Sequence, residues 1–454
     1  MKTLPLLSIA APDAVFAWRH GQPLRVAEFL RDVQRVAAAL PAGRHVLNLC
    51  QDRYHFAVGF AAALVTRKLS LLPSTRTAET LRQLRTLAPD LFGLSDAPVD
   101  LDLPCLRYPS SNGMAAPATP LEMPHIEVER VAALVFTSGS TGTPLPHAKT
   151  WGNLVQCVQN GAACLGLDAY PGLTLVGTVP AQHMYGFEST LLLAMQAGVA
   201  LGAAHPFYPA DIAAELAQVP APRLLVSTPV HLRALLDAGV RLPPLAAVLC
   251  ATAPLPRAMA QQFEASLGAP VLEIYGATET GQIATRRSAQ TDAWELFPGV
   301  TLQADGAGGW RADGGHIAAP CALGDALEAL DARRFRLLGR LADMVNIAGK
   351  RSSLAYLNHH LCAIPGVRDG AFFQPDEAGP GVTRLMAFAV APGLTRTQLL
   401  AALRERLDPA FMPRPLVLLE ALPRNATGKL PRSALAELAA HHLQPCETAD
   451  GDAR

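Results

Sequence analysis

Two hydrophobic periods alternate along most of this chain, and that alternation constrains its fold more than any other feature. Val26, Phe29, Leu30, Val33, Val36, Ala37 and Leu40 recur at i, i+3, i+4 and i+7, which is one apolar face of a helix. His45–Cys50 then reads as a buried strand, Tyr54–Thr66 as a helix, Leu69–Leu72 as a strand and Ala78–Leu87 as a helix. Further on, Val131–Phe136 reads as a strand and Trp151–Cys164 as a helix. Leu173–Thr178, Arg223–Ser227, Ala246–Cys250 and Pro270–Ile274 read as short strands. Strands alternating with helices predict βαβ units and an α/β fold of layered, mostly parallel sheets. Such sheets bind ligands beyond the carboxyl ends of their strands, so segments that directly follow these strands are the first place to look for chemistry.

The chain has 454 residues, enough for two or three domains at about 100–200 residues each. Leu337-Leu-Gly-Arg340 marks a boundary, after which the elements become shorter. The expectation is a large domain over residues 1–340 and a small α+β domain over 341–454. In the latter, Thr395 and Gln398 form a capping box opening a helix through Leu407. Pro415–Leu419 reads as a strand, Ala434–His442 as a last helix and Glu447–Arg454 as a frayed tail. A hydrophobic fraction of 50% excludes intrinsic disorder. The 38 basic and 38 acidic residues cancel, which argues against a nucleic-acid or anionic-membrane partner. No two of the eight cysteines stand at CxxC spacing, so they read as buried thiols in a reducing compartment. Leu191–Ala204, the longest apolar stretch, is too short to span a bilayer, and Pro5 interrupts a short apolar N-terminus; the expectation is a cytoplasmic protein.

Four segments carry chemistry. Thr137-Ser138-Gly139-Ser140-Thr141-Gly142-Thr143-Pro144 follows a strand and interleaves hydroxyls with glycines. Glycines let backbone N–H groups approach an anion and hydroxyls add donors, which suits a polyphosphate. A helix starting near Thr150 would add its positive end. Read alone, the segment also fits a Ser/Gly turn. Tyr275-Gly276-Ala277-Thr278-Glu279 follows a second strand. Tyr275 can stack on a base, Gly276 lets a ligand lie against the backbone, Thr278 offers a hydroxyl to a phosphate, and Glu279 can hold Mg²⁺ beside phosphate oxygens. Read alone, this segment equally fits a turn with a solvated Glu. Asp325 can accept both hydroxyls of a ribose, and Arg340, fifteen residues on, adds a fork of donors. Lys429, in Pro423-Arg-Asn-Ala-Thr-Gly-Lys-Leu-Pro-Arg432, places a cation on a polar loop, as a developing phosphoryl charge requires.

Together with Gly349 and Arg351, these segments stand in the order of one family, which the chain resembles from about residue 20 to 435: the adenylate-forming enzymes (acyl-CoA synthetases, carrier-protein adenylation domains and luciferase-like proteins). The resemblance implies a large α/β domain and a small mobile C-terminal lid. It implies that a carboxylate attacks the α-phosphorus of ATP, giving an acyl-adenylate and pyrophosphate, and that a thiol of CoA or a carrier protein then displaces AMP. Carried over in this numbering, Thr137–Thr143 would cradle the β- and γ-phosphates, and Tyr275 would pack on adenine with help from Ala251-Thr252-Ala253. Thr278 would touch the α-phosphate, Glu279 the Mg²⁺, and Asp325 and Arg340 the ribose. Lys429 would bridge carboxylate and α-phosphate.

The chain departs from the family in three places. Pro144-Leu145-Pro146 replaces Pro-Lys-Gly, leaving His147 or Lys149 as substitutes for the missing loop lysine. Ala342 and Asp343 stand where a hinge residue is usual, and Tyr356-Leu357-Asn358 replaces Glu-Ile-Glu. The compact length resembles the ligases of aryl-polyene and xanthomonadin-type pigment pathways. By the same resemblance Pro180–Glu188 would line the acid pocket. There His183 and Tyr185 would bracket a flat or extended acid, Gly186 would leave room for a ring, and Ala251, Gly276, Gln282 and Ile283 would form further walls. The expected substrate is an aryl or fatty acid. Two alternatives are an adenylyltransferase with an acceptor other than a thiol and a nucleotide-binding homologue that has lost catalysis.

Overall fold

The computed structural model describes all residues except 74, 110–121, 139–143, 307–308, 342–343, 348–349, 376–384, 426–427 and 444–454. The chain divides into two compact units. The larger holds Met1–Gln303, Arg311–Ala322 and Leu330–Phe335; the smaller holds Ala304–Trp310, Leu323–Ala329 and Arg336–Arg454.

In the larger unit the first amphipathic helix, Val26–Ala39, buries Val26, Phe29, Leu30, Val33 and Val36, the face its periodicity predicts. The next, Arg53–Val65, is apolar almost all round and, except for the half-buried His55, buried from Arg53 to Leu64, as expected of a helix packed on every side. Asp52 caps it, its carboxylate accepting the His55 amide at 3.0 Å. One sheet runs in the order Pro144–Thr150, Val131–Ser138, Leu69–Leu72, His45–Asn48, Phe92–Ser95, Cys105–Arg107. Its pairs are parallel except for the hairpin of the first two strands.

A second sheet carries six consecutive parallel strands: Val271–Ala277, Ala247–Cys250, Arg223–Ser227, Thr174–Gly177, Ala200–Gly202 and Val15–Arg19. Gly281–Arg287 and Gln22–Arg25 flank them antiparallel. The four strands read from the sequence in this region all form within a residue or three of their expected bounds. They are short, nearly continuous apolar runs, the pattern of strands covered on both faces.

The smaller unit is α+β. Asp369–Phe373 pairs antiparallel with Met386–Val390, which pairs parallel with Leu416–Leu418. Alternate residues of these strands serve opposite layers. Phe372, Ala387 and Ala389 meet Leu357, Leu361, Leu399 and Leu403 on one side, and Phe373, Met386 and Phe388 meet Leu435 and Ala439 on the other. Helix Arg396–Arg404 opens with the expected capping box, Thr395 with Gln398, and ends three residues before Leu407. Among the described residues no helix is long and apolar enough to cross a membrane.

Candidate active site

The carboxyl ends of the parallel strands in the larger unit collect polar groups. Thr178 follows one strand and its hydroxyl lies 3.0 Å from that of Ser227, at the end of the next. Ala247–Cys250 runs into Ala251 and Thr252, and Thr252 sits in the left-handed region at φ 83°. For a β-branched residue that conformation costs about 1–3 kcal/mol, and such strain collects at functional turns. Sequence reading names this Ala251-Thr252-Ala253 turn as backbone help for a base but has no means of seeing its strain.

The Tyr275 segment is a β-hairpin rather than a turn after a strand. Val271–Ala277 continues through Tyr275 and Gly276 and pairs with Gly281–Arg287, with a register break between Tyr275 and Gly276. A Cβ on Gly276 would stand 2.1 Å from the Gly281 carbonyl oxygen. The glycine is therefore required by its own hairpin partner, and its backbone is exposed. Tyr275 is half-buried, its ring 5.6 Å from those of Trp294 and Phe335. Thr280, which sequence reading passed over, ties the turn, accepting the Ala277 amide at 3.1 Å and donating to the Gly281 carbonyl at 2.8 Å. Thr278 is half-buried and Glu279 exposed.

The phosphate-loop segment also sits in a hairpin. Thr137 and Ser138 end the strand Val131–Ser138, and Pro144 opens the return strand Pro144–Thr150. Gly139, Ser140, Thr141, Gly142 and Thr143 lie outside the described residues. Helix Trp151–Cys164 does start at its Thr150 cap, but the intervening strand removes its N-terminus from the loop, a correction to the expected loop-to-helix junction. Leu145, at the position of the family's lysine, is 55% exposed. His147 Nε2 lies 3.0 Å from the Thr137 hydroxyl and 3.5 Å from Glu279 Oε1. Lys149 turns inward, and its Nζ donates to the Glu279 carbonyl at 2.8 Å. Of the two substitutes, His147 stands beside the Glu279 carboxylate and Lys149 is buried.

The acid-pocket segment forms Met184–Gly186 and then a π-helical turn, Phe187–Leu192. His183 precedes the helix, half-buried, and its carbonyl accepts the Phe187 amide at 2.7 Å. The Tyr185 hydroxyl lies 3.1 Å and 3.0 Å from the carbonyls of Ser227 and Leu249, so its polar end engages the strand ends. A Cβ on Gly186 would stand 2.0 Å from the Pro180 carbonyl oxygen. The expectation of ring space there is corrected: the glycine permits backbone packing. Gln282 is buried with its amide donating to Ser189 Oγ at 2.9 Å, and Ile283 is fully buried.

Sequence reading missed the polar groups behind these segments. Arg53 is buried and donates to Thr190 Oγ1 and the carbonyls of Gly177 and Val179 at 2.8–3.0 Å, tying the strand end to the π-helical turn. Glu188 is buried near Lys149. Desolvation raises its pKa to about 7 although Lys149 pulls it back, and desolvation lowers that of Lys149. The Cys157 thiol, pushed up by burial, donates to Glu188 Oε1 at 3.3 Å. The one available signal was a carboxylate inside the apolar run that follows Tyr185.

In the smaller unit Asp325 opens the strand Asp325–Ala329, and Arg340 ends the neighbouring strand Arg334–Arg340. The Leu341 amide donates to the Gly324 carbonyl at 2.9 Å, so the pair expected at a ribose stands side by side along the backbone. Gly349 lies outside the described residues and Arg351 is on the strand Lys350–Ser353. Arg424 forks onto Asp369 at 2.7 and 2.8 Å and donates to the Gly428 carbonyl at 3.0 Å. Asn425 Oδ1 accepts the Lys429 amide at 2.9 Å, and the Asn425 amide donates to the Lys429 carbonyl at 2.8 Å. Lys429 itself is exposed.

An exposed carboxylate, Glu279, fits Mg²⁺, which takes one or two carboxylates and fills its shell with phosphate oxygens and water. Among the described residues no group of three or more His, Cys, Asp or Glu forms an all-protein cage.

The chain is 34% identical over 305 residues to a 4-coumarate–CoA ligase of Rhodobacter capsulatus, covering 66% of this chain and 75% of that protein. It is 32% identical over 320 residues to a 4-coumarate–CoA ligase of Halorhodospira halophila, covering 66% and 76%. Its fold matches that of the Bacillus subtilis o-succinylbenzoate CoA synthetase, solved with an acyl-adenylate intermediate, at a TM-score of 0.81 and 19% identity over 96% of this chain and 98% of that one. A parallel sheet that runs into the Tyr275 hairpin, the smaller unit with its Lys429 loop, and a match of residues 10–306 to the AMP-binding enzymes lead to one conclusion: this chain belongs to the AMP-binding enzyme family, whose members form adenylates.

Proposed function

We propose that this chain activates a carboxylic acid with ATP and hands the acyl group to a thiol. A carboxylate oxygen of the acid attacks the α-phosphorus of ATP, the α–β bridging oxygen leaves with pyrophosphate, and an acyl-adenylate forms. The thiolate of CoA, or of a carrier protein, then attacks the acyl carbon and AMP leaves. The observation that carries this reading is the Tyr275–Glu279 hairpin at the carboxyl edge of the parallel strands, in a chain that belongs to the AMP-binding enzymes. That edge is where open α/β sheets bind nucleotides.

In this reading Tyr275 and the strained Ala251-Thr252-Ala253 turn hold the base, and Asp325 with Arg340 holds the ribose. The Thr137–Thr143 loop holds the outer phosphates and Thr278 the α-phosphate. Glu279 would hold Mg²⁺, which when bound offsets phosphate charge. Lys429 supplies the cation to the two anions that must meet, which in a water-poor site is a large term. His183 and Tyr185 sit on the segment that would line the acid pocket with Gln282 and Ile283. The likeness to two 4-coumarate–CoA ligases supports CoA as acceptor and an aryl acid as substrate, in keeping with the resemblance to aryl-polyene ligases.

The test is acid-dependent ATP–pyrophosphate exchange over aryl and fatty acids, followed by mass spectrometry of thioesters on CoA and on carrier proteins. Exchange with at least one acid and a CoA thioester are expected. ATP binding with no exchange for any acid would overturn the reading in favour of a nucleotide-binding homologue. Exchange with no thioester on either acceptor would favour an adenylyltransferase with a different acceptor.

A further inference from the structure

One strand meets the turn after Tyr275 at two points. Pro144–Thr150 is the return strand of the phosphate-loop hairpin and lies at the edge of its sheet. Leu145, His147 and Lys149 are alternate residues of it and so share one face. They stand opposite Thr137, Val135 and Ala133 in the pairing with Val131–Ser138. On that face His147 Nε2 reaches two groups at once, Thr137 Oγ1 at 3.0 Å and Glu279 Oε1 at 3.5 Å. Two residues on, Lys149 Nζ donates to the backbone carbonyl of the same Glu279 at 2.8 Å. Glu279 is therefore met by one strand at its carboxylate and at its backbone.

The two contacts fix different things. Lys149 is buried and shares its space with Cys157, Glu188 and His316, so it ties the backbone of the turn to the interior. Thr280 closes the turn from within, through the Ala277 amide and the Gly281 carbonyl. Neither contact orients the Glu279 side chain, which is exposed and long enough to swing. His147 is half-buried and stands beside that carboxylate. A carboxylate only accepts, so the ring meets it favourably with its proton on Nε2.

Resting on the acid-activation reading above, we propose that His147 is a positioning residue for Glu279: it holds the carboxylate toward the Mg²⁺ of the nucleotide and couples it to Thr137, near the end of the phosphate-loop strand. Carboxylates that bind a metal are themselves held by outer partners, and losing such a partner typically costs about 10–100-fold in metal affinity. The geometry separates this role from that of the lysine the family carries at the position of Leu145. A phosphate contact needs a donor pointed at the ligand, whereas His147 Nε2 is engaged by two protein groups. Leu145 is exposed and supplies no donor. This strand thus lacks the phosphate contact and keeps a brace on the carboxylate that faces the metal.

The test is binding, read without turnover. Mn²⁺ stands in for Mg²⁺, and its affinity for the full chain is measured by electron paramagnetic resonance with α,β-methylene-ATP present and no acid. His147→Leu is expected to weaken Mn²⁺ binding by about tenfold or more. His147→Gln, whose amide keeps a donor, should recover most of it. Binding of AMP, and of α,β-methylene-ATP in EDTA, should be unchanged in both variants. An equal loss of the analogue with and without metal would show His147 acting on the phosphates directly and would overturn the proposal. So would Mn²⁺ binding unaltered in His147→Leu, or AMP binding that falls in step with it, the mark of a merely structural role. A wild type that binds no Mn²⁺ beside the analogue would overturn it as well. The acid-activation reading fails separately: exchange with no acid, alongside Mn²⁺ binding that depends on His147, removes that reading and leaves the brace on Glu279 standing.

Discussion

Lys149 and Lys429 are both cations in regions assigned to the same chemistry, and they are held in opposite ways. Lys149 lies on a strand of the larger unit, 8% exposed, its ammonium on the Glu279 carbonyl and near the buried Glu188. Lys429 is exposed, and its backbone is what is fixed, by reciprocal bonds to Asn425 and by the Arg424 fork on Asp369. Burial penalises the charge of Lys149, as its lowered pKa shows, so it suits shaping a pocket. A cation meant to offset charge on a ligand is better kept in water on a pinned backbone, where it loses little solvation until the ligand arrives. The difference separates a lysine held in the interior from one carried on a pinned loop, and each substitution below tests one side of it.

The largest effect is expected at Lys429. Lys429→Ala should lower acid-dependent pyrophosphate exchange by about 10²–10³-fold, the usual cost of removing one donor from a developing oxyanion. The melting temperature should stay within about 1 °C, since a solvated side chain contributes little to stability. Exchange undiminished in this variant would take Lys429 out of the first step and collapse the contrast.

The buried side is read through stability against pH. The pKa of Glu188 is about 7 in the folded state against 4.5 for a free Glu. The folded state therefore holds a proton that the unfolded state has released. The stability this proton supplies is full below about pH 4.5 and is lost as pH rises through about 7, by roughly 3 kcal/mol in total. Urea unfolding at pH 5 and pH 8 should show a decline in the wild type that Glu188→Gln reduces by about 2–3 kcal/mol. An unchanged decline would mean that Glu188 folds as a carboxylate paired with Lys149, making the larger unit's cluster a buried ion pair.

Much of the fold is legible because its signals are local. The strands from Thr174 to Ala277, the helix faces and the Thr395 cap each announce themselves within a few residues. The strand Pro144–Thr150 does not, because Pro-Leu-Pro-His-Ala-Lys-Thr has two prolines and little β character. It forms at the edge of its sheet, where a missing amide donor is tolerated. Gly186 and Gly276 were visible as glycines, but the reason for each is a carbonyl contributed by another turn of chain. The polar cluster was hidden for the same reason. Lys149, Cys157, Glu188 and His316 come from four separate segments, and only Glu188, alone in an apolar run, carried a local hint.

The smallest effect sharpens the comparison most, because it separates a lysine from the loop that holds it. The Arg424–Asp369 pair is half-exposed, 27% and 29%, so solvent screens it and Arg424→Leu should cost no more than about 1 kcal/mol of stability. Arg424 also donates to the Gly428 carbonyl, one residue before Lys429. Its loss should therefore loosen the lysine's backbone and lower exchange severalfold, less than Lys429→Ala does. If the two residues act as one device, the double substitution should be no slower than Lys429→Ala alone, since a loop that no longer carries the ammonium has nothing left to position. Independent, multiplying losses would show that Arg424 serves the smaller unit's core, and that Lys429 needs no rigid mounting.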